Sequence, residues 1–260
     1  MKFYQIDSFT DKCFSGNPAA VCLVYDKWPT EQLMQNIAEE NNLSETAFVL
    51  NKNSEYFIRW FTPTTEVSIC GHATLAAAHA LFKHQGFCSK EIIFNSKNHI
   101  LKVTNDGDFL VLDFPLDKIW RLEPDVSLDC FNFKPLEYWR GTEEYMLIFE
   151  SEEQIQKACC DLDKAAKIDL SGIIITAKAK KPSCDFVSRY FGPKIGINED
   201  PVTGSAHTLL AAYWQKILAK DELNARQLSK RGGELFCVVL GGRVKIAGKA
   251  ITFLSGEIMI

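Results

Sequence analysis

One short pattern occurs twice in this chain, and that repetition limits the possible architectures more than any other feature. Arg59-Trp60-Phe61-Thr62-Pro63 and Arg189-Tyr190-Phe191-Gly192-Pro193 both read arginine, large aromatic, phenylalanine, small residue, proline, at an offset of 189 − 59 = 130. A second match follows each copy. The segment from Glu66 through Cys70, Gly71, His72 and Ala73 aligns with that from Glu199 through Thr203, Gly204, Ser205 and Ala206, at an offset of 204 − 71 = 133. Two matches in the same order, at offsets near half of 260 residues, indicate two related halves.

Each half has the same coarse layout. In the first, Lys2 to Phe9 reads as a strand, Gly16-Asn17-Pro18 as a turn, and Ala19 to Val24 as an apolar strand. Thr30 is a suitable N-cap for a helix that carries Leu33, Met34, Ile37 and Ala38 on one face. Strands are expected at Ala47 to Leu50 and Tyr56 to Phe61. The segment Ala73 to Phe82 is then a helix apolar on nearly every side, which must be buried all round. Strands return at Glu91 to Phe94, Ile100 to Val103 and Phe109 to Phe114, the last two joined by an Asn105-Asp106-Gly107 turn. The second half repeats the scheme, with strands at Tyr145 to Phe149, Gly172 to Thr176 and Asp185 to Tyr190. Its buried helix runs from Ser205 to Leu218, and glycine-punctuated hairpins close the chain. The expected fold class is α+β: two similar halves, each a rolled mixed sheet around a central buried helix. The halves are 1–118 and 119–260, with a linker over 116–129 and the extreme C-terminus packing back on the first half.

Composition narrows the function classes. With 47% apolar and 24% charged residues, the chain reads as a globular protein with a core that needs no disulfides. The net charge of −4 and the absence of basic stretches interleaved with aromatics exclude nucleic acid as an expected partner. No run of about 18 apolar residues suggests a membrane span, and the opening residues do not resemble a signal peptide. The nine cysteines have no C-x-x-C spacing, which fits free thiols in the reducing cytoplasm. No dinucleotide fingerprint, glycine-rich phosphate loop or zinc-protease histidine spacing is present, so no cofactor and no metal are expected.

The chemistry collects at the duplicated helix starts. The first N–H groups of a helix lack intrahelical partners, and the helix dipole there favours negative charge. Gly71 and Gly204 leave room for an anion to approach those groups, and two halves facing each other would bring both starts to one cleft. Taken singly, Ser205 or Asp200 reads equally well as a helix cap, His72 as a core histidine, and Glu45 as an exposed side chain.

Several segments together resemble the phenazine-biosynthesis PhzF-like family. They are Asp7-Ser-Phe-Thr, Gly16-Asn-Pro-Ala-Ala20, Asn42-Leu-Ser-Glu-Thr-Ala-Phe48, Arg59-Trp-Phe-Thr-Pro63, Cys70-Gly-His-Ala-Thr74, Glu199-Asp-Pro-Val-Thr-Gly-Ser-Ala-His207, and Arg231-Gly-Gly233 with Gly242-Arg-Val244. The resemblance spans essentially the whole chain and implies the diaminopimelate-epimerase-like fold, with the site between the halves. It also implies that Glu45 is the catalytic general acid/base and that Gly71, His72, Asp200, Gly204 and Ser205 bind the substrate. A homodimer is the family-level expectation.

Cys70 is a possible reactive thiol. Related racemases of this fold resemble a two-thiol design, but the position that duplicates Cys70 is Thr203, whose hydroxyl is a poor base. The reading is therefore a cofactor-independent isomerase that moves a proton on a small carboxylated substrate through the single base Glu45. The alternatives are a racemase or epimerase using Cys70, and a non-catalytic small-molecule-binding protein.

Overall fold

The computed structural model describes residues 1–124 and 126–260. In chain order the first elements are β1 (Lys2–Ser8), β2 (Asn17–Tyr25), α1 (Glu31–Asn41), β3 (Glu45–Lys52), β4 (Glu55–Phe61), β5 (Glu66–Val67), α2 (Gly71–His84), β6 (Glu91–Asn95), β7 (Ile100–Asp106) and β8 (Phe109–Pro115). They are followed by β9 (Trp120–Leu122), β10 (Glu137–Arg140), β11 (Glu144–Ile148), α3 (Glu152–Lys157), α4 (Leu162–Ala165), β12 (Gly172–Lys178), β13 (Phe186–Gly192) and β14 (Ile197–Asp200). The chain ends with α5 (Ala206–Leu218), β15 (Glu222–Gln227), β16 (Gly233–Leu240), β17 (Arg243–Gly248) and β18 (Ala250–Glu257). It divides into two compact units, one of Met1–Asp113 with Ala247–Ile260 and one of Phe114–Ile246. The stretch 116–129 carries β9 and a short 3-10 turn at Val126–Leu128, and its Asp125 lies outside the described residues.

In the first unit β1 pairs antiparallel with both β2 and β18. β2 runs parallel to β3, β3 antiparallel to β4, β4 parallel to β6, and β6 antiparallel to β7. The two parallel pairs need crossovers, which α1 and α2 supply. Helix α2 packs against β1, β2, β3, β7 and β18. Its alanines let the strands approach closely, and His72 through Ala78 are all buried. The opposite face of β2 and β3 is covered by α1, whose Met34, Ile37 and Ala38 cluster with Cys22, Val24, Phe48, Leu50 and Phe61. Coverage on both faces explains why β2 is a continuous apolar run without alternation.

The second unit repeats this wiring. β10 pairs antiparallel with β9 and β11, β11 runs parallel to β12, β12 antiparallel to β13, β13 parallel to β15, and β15 antiparallel to β16. Helix α5 takes the place of α2, with Leu209 through Trp214 buried, and α3 with α4 takes the place of α1. The match extends to strand order: β9 stands beside β10 as β18 stands beside β1.

The duplicated arginine motif is a pair of structural staples. Arg59 Nε and Nη2 each donate to Glu66 at 2.7 Å, and Nη2 also reaches Glu31 at 3.0 Å in the first turn of α1. Arg189 does the same with Glu199, at 2.6 and 3.0 Å, and its Nη1 donates to the carbonyls of Ile155 and Ala158 at the end of α3. Each guanidinium lies over the motif phenylalanine, 5.2 Å from Phe61 and 4.9 Å from Phe191. Such bidentate, partly buried pairs resist the screening that weakens exposed ones.

Local boundaries differ from the sequence expectation in a few places. Asn17 and Pro18 already belong to β2, because Pro18 falls near the strand start, where its missing N–H is tolerated. The chain turns earlier, at Gly16 with φ +67°, where a side chain would run into the Ser8 carbonyl. The β7–β8 hairpin pairs Asn105 with Leu110 and Asp106 with Phe109, leaving Gly107-Asp108 as the turn. Helix α2 begins two residues before the expected Ala73, and α5 one residue after the expected Ser205. The cysteines are free, and no helix among the described residues is long and apolar enough to cross a membrane.

Two histidines, of which His79 is the more deeply placed, join α2 to β18 in the first unit. His79 Nε2 lies 3.0 Å and His84 Nε2 2.7 Å from Thr252 Oγ1, which ties α2 to β18. Burial, then His84 and Lys83, lower the His79 pKa to about 4. A histidine whose folded pKa lies below its unfolded value stabilises the fold above about pH 6.5, and that contribution disappears as pH falls towards 4. We therefore expect urea unfolding at pH 7 and pH 5 to show a marked loss of stability in the parent. His79→Gln, which keeps a polar partner for Thr252, should shrink that pH 7 to pH 5 difference by about 1–2 kcal/mol.

Candidate active site

Because β2 and β3 are parallel, their starts lie at the same end: Ala19, the third residue of β2, stands opposite Glu45, the first of β3. The last residues of β1 meet the first of β2, with Ser8 opposite Asn17. The N-terminus of α2 joins them, since the Ser8 hydroxyl donates to the His72 carbonyl at 2.9 Å. Four element ends thus place Ser8, Asn17, Glu45, Cys70 and His72 together within the first unit.

These side chains form a buried chain of polar groups. Glu45 is 9% exposed, Cys70 7% and His72 6%. Glu45 Oε2 lies 3.1 Å from His72 Nε2. On the other side of the ring, Nδ1 lies 3.3 Å from Asn17 Nδ2 and 3.5 Å from Cys70 Sγ. Burial pulls the imidazole towards neutrality, but the Cys70 and Glu45 groups beside it outweigh that and push its pKa well above the ordinary histidine value. Burial, followed by the Glu45 charge, pushes the Cys70 thiol up. A carboxyl touching an imidazole in a site shielded from water can hold a proton and hand it on. Neither Cys70 at the start of α2 nor Ser205 at the start of α5 makes a side-chain capping bond.

The other sequence-predicted residues fall in the second unit. Asp200 ends β14 and is buried, and its Oδ2 accepts from Thr203 Oγ1 at 2.5 Å. Asp200 is thereby engaged by the turn that precedes α5. Gly204 is buried and Ser205 is exposed at the helix entrance. Sequence reasoning missed Gln227, which braces this turn from beneath. Its Nε2 donates to the Asp200 carbonyl (2.8 Å) and lies 3.1 Å from Thr203 Oγ1, while its Oε1 accepts from Thr203 N (2.9 Å). A glutamine ending a strand carries no periodic signal of such a role. His207 sits one turn into the unit's polar region, with Nδ1 2.8 Å from the Thr203 carbonyl, and burial lowers its pKa to about 4.

The two units differ where Glu45 stands. Thr46 pairs with Phe61 and Ile173 with Phe191, so the residue matching Glu45 is Gly172. A Cβ on Gly172 would lie 2.6 Å from Tyr190 Oη, so the tyrosine hydroxyl occupies that space. Across the strand pair, opposite Gly172, stands Glu144. Burial, then Asp117 and Glu143, raise its pKa to about 7. The second unit thus has a carboxyl at this level of the sheet, but on the neighbouring strand. Little in the local sequence marks Glu144, because apart from the adjacent Glu143 the groups around it come from distant positions, Asp117 and Gly172 among them.

Comparison with known proteins agrees with this picture. The family model described as phenazine biosynthesis-like protein (PhzC-PhzF) matches residues 6–256. An uncharacterized isomerase of Pseudomonas aeruginosa is 43% identical, over 100% of this chain and 99% of its own. The crystal structure of a PhzF-family phenazine biosynthesis protein from Enterococcus faecalis is 42% identical and superposes with a TM-score of 0.95, covering 100% of both chains. A probable proline racemase from Agrobacterium radiobacter, at 9% identity and a TM-score of 0.64 over 100% of this chain and 93% of that one, shares the fold alone. The sheet wiring, the paired staples and these matches identify the chain as a member of the phenazine biosynthesis-like PhzC-PhzF family.

Proposed function

We propose that this protein is an isomerase that needs no cofactor and relocates a proton on a small carboxylated substrate, with Glu45 as the general acid/base. The observation that carries the reading is the buried Glu45 carboxyl, 3.1 Å from the His72 imidazole at the start of α2. The relatives named isomerases support the reaction class. Glu45 takes the proton from a carbon next to an electron-withdrawing group and returns it elsewhere on the same face. His72 holds the carboxyl in place and balances its charge during the step. Gly71, Asp200, Gly204 and Ser205 serve substrate binding, the glycines by admitting the substrate carboxylate to backbone N–H groups.

A single base is favoured over a two-thiol racemase by the fate of the position that duplicates Cys70. Thr203 has no ionisable group at working pH, and its hydroxyl is already engaged with Asp200 and Gln227. A two-base inversion needs an ionisable group at each position.

The first test uses proton NMR in D₂O to find which small carboxylic acids exchange or rearrange in the presence of the protein. Glu45→Gln keeps the size and hydrogen-bonding capacity of the side chain but cannot ionise. We expect unchanged folding by circular dichroism and a kcat lowered by roughly 10²-fold or more. Turnover at the parent rate would remove Glu45 from the mechanism.

The second test follows the label. A single base predicts that part of the original proton is retained at its new position in D₂O, and that Cys70→Ala loses far less activity than Glu45→Gln. Inversion at one carbon with solvent deuterium in the product, together with near-total loss in Cys70→Ala, would instead establish the racemase.

A further inference from the structure

We propose that Glu45, Cys70 and His72 also form a binding site for a soft divalent cation of the zinc class, and that cation binding blocks proton transfer in this protein. The blocking half rests on the reading that Glu45 moves the proton; the binding half stands without it.

The argument begins with donor geometry. One Glu45 oxygen, Cys70 Sγ and one His72 ring nitrogen all lie within 4.8 Å of one another; all three residues are buried, the His72 side chain being 7% and the Glu45 side chain 11% exposed. Zinc bonds of about 2.0–2.2 Å to nitrogen and oxygen and about 2.3 Å to sulfur give tetrahedral edges of roughly 3.3–3.4 Å for N···O and 3.6 Å for S···N. The observed contacts are 3.1 Å from His72 Nε2 to Glu45 Oε2 and 3.5 Å from Cys70 Sγ to His72 Nδ1. Bringing the thiol and the carboxylate to the same ring nitrogen takes a shift on the order of an ångström, within the reach of side-chain rotation.

A second observation points the same way. Glu45 Oε2 and His72 Nε2 face each other closely, yet neither makes a hydrogen bond with good geometry. The pair is thus held by a charge contact rather than a well-aligned hydrogen bond, an arrangement that is costly to bury. A cation between them would satisfy both.

The donor set also selects the ion. Thiolate, imidazole and carboxylate suit zinc-class cations, whereas magnesium and calcium require six or more oxygens. Two anionic donors offset the dication in a buried place. Binding releases two protons to solvent, one from the thiol and one from the imidazolium, after which sulfur, nitrogen and oxygen each contribute one lone pair. Three protein ligands leave one tetrahedral position open for water or a substrate carboxylate. With the cation in place, the Glu45 oxygen that faces His72 is no longer available as a base.

The sequence alone does not suggest this site, because Cys70-x-His72 lacks a recognised metal spacing and Glu45 is contributed by another strand. Its test uses Co²⁺ as a spectroscopic substitute for zinc. The reduced, intact protein is titrated with Co²⁺, following the thiolate-to-cobalt charge-transfer band and the visible bands of tetrahedral cobalt, and then with Zn²⁺ to displace it. We expect one equivalent bound with a thiolate band, loss of that band in both Cys70→Ser and Cys70→Ala, and affinity weakened at least roughly 100-fold in His72→Gln and Glu45→Gln. Circular dichroism confirms that each variant is folded. Cys88 and Cys159 are exposed thiols, so Cys88→Ser and Cys159→Ser serve as controls that should leave the band unchanged. Absence of the band in the parent, its persistence in the Cys70 variants, or its loss in either control would overturn the site. The binding arm does not depend on turnover. A Co²⁺ site with parent-rate turnover in Glu45→Gln would refute the catalytic reading and the blocking half but keep the cation site. Loss of turnover in Glu45→Gln with no band in the parent would keep the catalytic reading and overturn both the cation site and the block.

Discussion

Helix α2 has no polar face, and much of the first unit follows from that constraint. A helix whose residues from His72 through Ala78 are all buried cannot rest on one side of a flat sheet. The strands must curl around it, and its alanines allow β1, β2, β3, β7 and β18 to pack against it. The parallel β2–β3 pair then puts two strand starts beside the helix start, so the polar residues gather at the helix N-terminus. Backbone N–H groups and the positive end of the dipole are there to receive charge. The apolar composition of the helix and the location of the candidate chemistry are two results of one packing requirement.

The duplication separates framework from chemistry. Both units retain an arginine that grips a glutamate on the neighbouring strand, lies over a phenylalanine and reaches a segment on the outer face of the sheet. The positions around the helix starts have diverged: Cys70 corresponds to Thr203, His72 to Ser205 and Glu45 to Gly172. A framework can remain duplicated because each unit must close its own sheet. The proposed transfer of a proton by one base has no such need, and in the second unit Thr203, at the position of Cys70, belongs to a braced turn around Asp200.

Burying Glu45 and His72 is costly unless each compensates the other. Their contact, with Cys70 and Asn17 on the far side of the ring, keeps ionisable groups in a place otherwise suited to apolar side chains.

The sequence by itself determined the two-halved α+β plan, the all-round burial of the two helices and the N-cap at Thr30, because these follow from repetition, periodicity and local chemistry within a few residues. It also singled out Glu45, His72 and Asp200 through the family resemblance, although periodicity could not tell a functional Glu45 from an exposed one. Only the tertiary structure decided that Glu45 meets His72 from 27 residues away, that Gln227 braces the Asp200 turn, that burial and then Asp117 raise the Glu144 pKa, and that the repeated arginines are staples. Each depends on which strand lies beside which. That register is set by the whole sheet closing around its helix, and no local pattern in the chain carries it.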